Sequence, residues 1–171
     1  DGVPVYAKTR AESAVEPVDF GKLREARKDA DKRFGVEKEE ANALSGYIQL
    51  TFGIINSKLR SGKVDPVKDQ PGINRLTVAL KKFPVFDGRT YRNVSFKGES
   101  SQQKYHAFLA EYAEGNTVNL KAFTSSSKRP NGRPLFGDYV VHIVIDGVTG
   151  ADIADTYGLP RQQEVILLPG T

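Results

Sequence analysis

The chain has no cysteine, no methionine and no tryptophan among its 171 residues. Without thiols there is no disulfide, no thiolate nucleophile and no cysteine-ligated zinc, so the fold holds in either redox compartment on packing alone. With no methionine and Asp1 in first place, the chain is expected to be a piece of a longer or processed protein. No apolar run approaches the roughly 20 residues that span a bilayer, and the start lacks the charged-then-apolar pattern of a leader. Histidine is scarce. His106 and His142 have no second ligand at metal spacing, both read as structural, and no metal is expected. Neither phosphate-loop pattern, G-x-x-x-x-G-K-[ST] or G-x-G-x-x-G, occurs, nor does a G-x-S-x-G nucleophile elbow. There is no internal repeat and no low-complexity tract.

What is present is an ordinary globular composition, 39% hydrophobic and 27% charged, with a net charge of +4. The length suits one compact domain. The basic balance fits an anionic partner, a dinucleotide or a nucleic acid, and equally a solvated basic surface.

Residues 1–18 read as a polar linker or arm. Residues 19–35 predict a charged helix, N-capped by Asp19 and ended by Gly35. Over 37–60, Leu44, Ile48, Thr51, Ile55 and Leu59 recur at helical spacing, with Gly46 and Gly53 as local weak points. A further helix over 72–82 stops before Pro84. The pattern then changes. Strands are predicted at 89–96, 117–123, 139–146 and 163–168, and a helix at 101–113 whose face carries Tyr105, Phe108, Leu109 and Tyr112. The near-continuous apolar run 139–146 predicts a strand covered on both faces. Helices first and strands second predict an α+β domain over 19–171: a helical part over about 19–84 packed on a β core over about 85–171.

Three short polar segments fall at or near strand ends: Tyr91-Arg92, Phe123-Thr124-Ser125-Ser126-Ser127, and Gln162-Gln163-Glu164 running into Val165. Convergent strand-end groups are one way an α+β domain builds a cleft. In this order the segments resemble the bacterial mono-ADP-ribosyltransferase exotoxins of the Arg/Ser-Thr-Ser/Glu class, with Ser126 where that class has its central Thr. Tyr47 and the stretch Ile55-Asn56-Ser57-Lys58-Leu59-Arg60 resemble the same family's NAD-side helix. The resemblance spans about residues 40 to 170.

The resemblance implies a mixed, mostly antiparallel β core of two sheets around an NAD cleft, and a reaction that breaks the nicotinamide–ribose bond and moves ADP-ribose to a nucleophile. Glu164 would stabilise the oxocarbenium-like transition state, and Ser125 would fix its carboxylate. Arg92 would grip the diphosphate, with Asn56, Arg60, Tyr91 and Phe123 on the same substrate. The loop with Lys128, Arg129, Arg133 and Phe136 would cover phosphate and nicotinamide. Gln162, two residues before Glu164, stands where arginine-modifying members carry Glu. Its neutral amide both donates and accepts, which suits a protein Asn or Gln, or a nucleobase, rather than arginine. NAD as substrate, a target macromolecule, a monomeric state, secretion or delivery into a target cell with action in its cytoplasm, and a cognate immunity protein complete the expectation. Two alternatives are an NAD glycohydrolase and a non-catalytic module binding nucleic acid through its basic helix and loop.

Overall fold

The computed structural model describes residues 18–130, 137–147 and 149–171. Apart from Val18, the expected arm lies outside the described residues. Helix α1 (Phe20–Phe34) is capped as its sequence predicts. The Asp19 side chain accepts from the Lys22 N–H at 3.0 Å, and Gly35, at φ 65°, turns the chain while its N–H bonds to the Asp31 carbonyl. The left-handed conformation at that position is one that glycine adopts without steric cost. The outer face is charged, with the pair Lys28–Glu25. The inner face buries Leu23 and Ala30 and sets Phe34 against Phe83, ring centroids 5.2 Å apart.

The long helical segment expected over 37–60 is interrupted. α2 (Lys38–Gly46) passes through a π-helical turn (Tyr47–Thr51) into α3 (Phe52–Ser61). The turn falls between Gly46 and Gly53, the two residues with the weakest α-helical preference in the segment. Such single-turn insertions recur at functional sites. Here the turn buries Tyr47. α4 (Gln70–Lys81) supplies Ile73, Leu76, Ala79 and Leu80 to the core. Lys82 fastens it to α2 by an ion pair with Glu40 at 2.6 Å and a bond to the Gly35 carbonyl at 2.7 Å.

Six strands form one antiparallel sheet in the order β1-β5-β6-β3-β2-β4: β1 (Val85–Asp87), β2 (Thr90–Phe96), β3 (Thr124–Ser127), β4 (Tyr139–Ile145), β5 (Thr149–Asp152) and β6 (Glu164–Leu167). The α+β class holds, but the two expected sheets are joined. The join is narrow, because β2 and β3 share a single register pair, Tyr91 with Ser127. On either side the ladders are longer, Thr90–Phe96 against β4 and Thr124–Ser127 against β6.

Two further expectations are corrected. Residues 117–123 form no strand. Their alternation meets no ladder; Leu120 exchanges bonds with Gly170 and Thr171, and the Phe123 carbonyl faces the Tyr47 hydroxyl. β4 is not covered on both faces. It is the edge strand, and Val144 is 54% exposed. One side of it is served by α5 (Ser101–Glu111), whose Tyr105 stacks on Tyr139 at 5.0 Å. The innermost strand is instead β6, buried at every position from Glu164 to Leu167.

Candidate active site

The site is assembled where β2, β3 and β6 meet. Ser127 lies opposite both Tyr91 and Glu164 in register, and Ser125 opposite Ile166. Residues directly opposite share a face of a sheet, so Ser125, Ser127 and Glu164 stand on one face. The Ser125 hydroxyl donates to Glu164 Oε1. Glu164 is 4% exposed, and a buried carboxylate needs such a donor. β3 is otherwise polar for local reasons. Ser126 Oγ bonds to the Val165 carbonyl at 3.1 Å, and Ser127 Oγ accepts from the Arg129 N–H at 2.9 Å.

The narrow β2–β3 junction explains the position of Arg92. Its Nη1 donates to the Ser125 carbonyl at 2.7 Å, supplying a donor where the strands have splayed. Arg92 thus touches the residue that holds Glu164. It also lines a cavity of about 650 Å³, together with Arg60, Thr124, Tyr112 and Lys121. That volume is in the range of small-molecule sites. Two guanidinium groups, Arg60 and Arg92, give it a cationic side. Burial, then the Glu111 carboxylate, pushes the Tyr112 phenol up, with Arg92 opposing. On the other side of Arg92 a small recess is bounded by Tyr91, Asn93, Ser125, Ser127 and Arg129.

Asn56 lies on α3, one turn before Arg60. Its Nδ2 donates to the Tyr47 hydroxyl at 2.9 Å, and that hydroxyl lies 3.4 Å from the Phe123 carbonyl. Among the described residues the buried Asn56 carbonyl oxygen has no hydrogen-bond partner, so an acceptor is left over that a ligand donor could satisfy. Tyr47 therefore links α3 to the approach of β3, a role invisible in the sequence.

Not every expected residue joins the site. Phe123 is 2% exposed and packs edge-on against Tyr47 at 5.4 Å. It belongs to the core beneath the site and offers no surface to a ligand. Lys128 forms an ion pair with Asp152 at 2.6 Å and lies over the Phe86 ring, while Arg129 is exposed at the recess. Arg133 and Phe136 lie outside the described residues. Gln162 is half-buried on the turn before β6. Between it and Glu164, Gln163 adopts φ 43°, uncommon for a residue with a side chain. Its amide bonds to Asp155 at 3.1 Å and to the Pro160 carbonyl at 3.0 Å. This kink turns the chain from Gln162 into the buried Glu164, and no feature of a glutamine in sequence announces it. His142 meets Asn93 at 2.8 Å. Among the described residues no group of three or more potential ligands could hold a metal.

A carboxylate held by a hydroxyl, one arginine from a cationic cavity, is an arrangement for stabilising a cationic transition state beside an anionic substrate. The ADP-ribosyltransferase exoenzyme family matches residues 21–171, and the chain belongs to that family. It is 24% identical over 139 residues to a Mycobacterium avium (strain 104) protein whose name assigns it as an NAD(+)–arginine ADP-ribosyltransferase, Mav. That match covers 80% of this chain but 16% of Mav, so the chain spans about a sixth of the relative's length.

Among solved structures, the fold is similar to Exoenzyme S from Pseudomonas aeruginosa, determined with human 14-3-3 protein beta and carba-NAD. The TM-score is 0.57 at 16% identity, covering 89% of this chain and 75% of that one. The Vis toxin of Vibrio splendidus gives 0.54 at 18%, over 92% and 78% of the two chains. The enzymatic component C2-I of the Clostridium botulinum C2 toxin gives 0.52 at 24%, over 84% and 38%. At these identities the likeness is one of fold.

Proposed function

We propose that residues 19–171 form the catalytic domain of a mono-ADP-ribosyltransferase that cleaves NAD at the nicotinamide–ribose bond and transfers ADP-ribose to an acceptor other than arginine. The carrying observation is the Ser125 hydroxyl on the buried Glu164 carboxylate, beside Arg92. The bond from the anomeric carbon to the pyridinium nitrogen breaks with its electron pair going to the ring, so nicotinamide leaves neutral. The developing positive charge on the ribose is met by Glu164. The acceptor's lone pair then closes on the anomeric carbon as the acceptor loses a proton. Arg92 and Arg60 hold the diphosphate in the large cavity, and Asn56 receives a donor from the same substrate. No step calls for a metal.

Gln162 faces the acceptor. A neutral amide pairs with another amide or a base edge, whereas a guanidinium is best held by an anion. The arginine in Mav's name is a property of that protein. The reading carries with it delivery into a target cell, action in its cytoplasm, a monomeric state and an immunity protein in the producer. No helix among the described residues is long and apolar enough to cross a membrane.

The test is nicotinamide release from labelled NAD, followed with a cell lysate whose protein and nucleic-acid fractions are counted separately. Wild type releases nicotinamide, and Glu164→Ala loses release by about 100-fold or more, the scale of a principal electrostatic group, while NAD binding is kept. Release that survives in Glu164→Ala overturns the assignment. Label on arginine side chains overturns the acceptor.

A further inference from the structure

The turn that carries Gln162 is held at several places, and one of them is remote. At its base, the Ile153 N–H bonds to the Glu164 carbonyl at 3.1 Å, tying the two ends together. Within it, Gln163 bridges Asp155 and Pro160, and the Gln162 N–H bonds to the Leu159 carbonyl at 2.8 Å. The third hold comes from the first helix. The Tyr157 hydroxyl donates to Asp31 at 2.6 Å, and Arg27 Nη2 donates to the Tyr157 backbone carbonyl at 3.1 Å, its guanidinium over the ring at 5.4 Å. Tyr157 is 1% exposed and meets Phe83 edge-on at 5.7 Å.

We infer that Arg27 and Asp31 of α1 clasp Tyr157 and so position the acceptor turn, making α1 a part of acceptor selection. The inference rests on the transferase reading above and adds to it a source of specificity outside the site. None of the three residues lines the cavity that holds Arg60 and Arg92. The clasp bears on where Gln162 stands, not on the bond-breaking step. Glu164 also has holds of its own, its register against β3 and the Ser125 hydroxyl. A shift of the turn therefore separates two quantities that a general loss of structure would lower together: transfer to a macromolecule, and release of nicotinamide. Small misplacements are costly only to the reaction whose partner is misplaced.

The experiment uses the whole chain with Tyr157→Phe, Asp31→Ala and the double variant, labelled NAD, and a cell lysate as acceptor source. The measured quantity is label in macromolecules per nicotinamide released, with amide hydrogen exchange over residues 154–163. The expected result is a fall in that ratio of about tenfold in each single variant, within the range that misplaced groups cost. Nicotinamide release in the absence of lysate stays within about twofold, exchange over 154–163 rises, and the double variant is no worse than either single one, because both remove the same bond. Parallel loss of release and transfer overturns the inference, as does unchanged exchange or an unchanged ratio in both single variants. A wild type that releases nicotinamide but labels no fraction overturns the transfer reading and the inference with it. That outcome differs from failure of the clasp alone, in which wild type and variants label equally.

Discussion

At the scale of single residues the site depends on one hydroxyl. Ser125 donates to a carboxylate that is 4% exposed, so removing the hydroxyl leaves Glu164 short of a donor in a place water reaches poorly. Ser125→Ala is expected to lower the rate of nicotinamide release by about 10- to 100-fold at saturating NAD, toward the low end of what a lost transition-state-orienting donor costs. Its apparent affinity for NAD changes by less than about threefold, since Ser125 acts through Glu164 rather than on the diphosphate. A steady-state split of kcat from KM checks this, and a rise in KM alone would speak against it. Gln162→Ala should remove transfer and spare slow hydrolysis, read as label lost from macromolecules with nicotinamide release kept. The juxtaposition of Glu164, Ser125 and Arg92 is legible in sequence because their types and order are informative together. The burial of Phe123 is not, since an aromatic before a polar strand looks the same whether its ring faces a ligand or the core. Gln163 was silent because a left-handed glutamine has no compositional mark.

At the scale of elements, the sequence was most readable where local chemistry decides. α1 ends at the residues its caps dictate, and the weak glycines bracket the π-helical turn. It was least readable where pairing decides. β5 is four residues with an internal glycine and β1 is three residues long, too short for periodicity to register. Residues 117–123 alternate well but find no partner strand, because β3 is already bounded by β6 and β2. Gly150 in β5 stands where there is no room for a side chain. A Cβ there would lie 2.6 Å from Val165 Cγ1, 2.8 Å from Leu167 Cδ2 and 3.1 Å from the Ile166 carbonyl. Those contacts belong to fully buried β6, so Gly150→Ala forces apart the strand that bears Glu164. The expected loss is about 1–3 kcal/mol of stability, the usual cost of overpacking a core, measured as a lower midpoint in urea unfolding. An unchanged midpoint would mean that β5 and β6 can separate freely.

At the scale of the whole molecule, polar ties across separate elements give stability a defined pH window. On the acid side, hydrogen bonds from Lys82 and Lys58 hold the Glu40 and Asp69 carboxyls below their ordinary values. A lowered folded value means that the stabilisation is present above about pH 4–5 and is lost as pH falls through the folded values. On the alkaline side one contributor is Tyr157. Burial first, and then its bond to Asp31, push the phenol well above its ordinary value. The folded state then keeps a proton that the unfolded chain gives up, so this contribution is complete below about pH 10 and declines as pH rises beyond it. The wild-type curve sums every contribution and does not isolate this one. The difference between wild type and Tyr157→Phe does. That difference should be flat from about pH 6 to 9 and then shrink by up to about 1.4 kcal/mol per pH unit above 10, the slope of one linked proton. Urea unfolding of both proteins across that range provides the measurement. A constant difference would show that the Tyr157 hydroxyl is accessible to water, and that α1 does not close over the turn before β6.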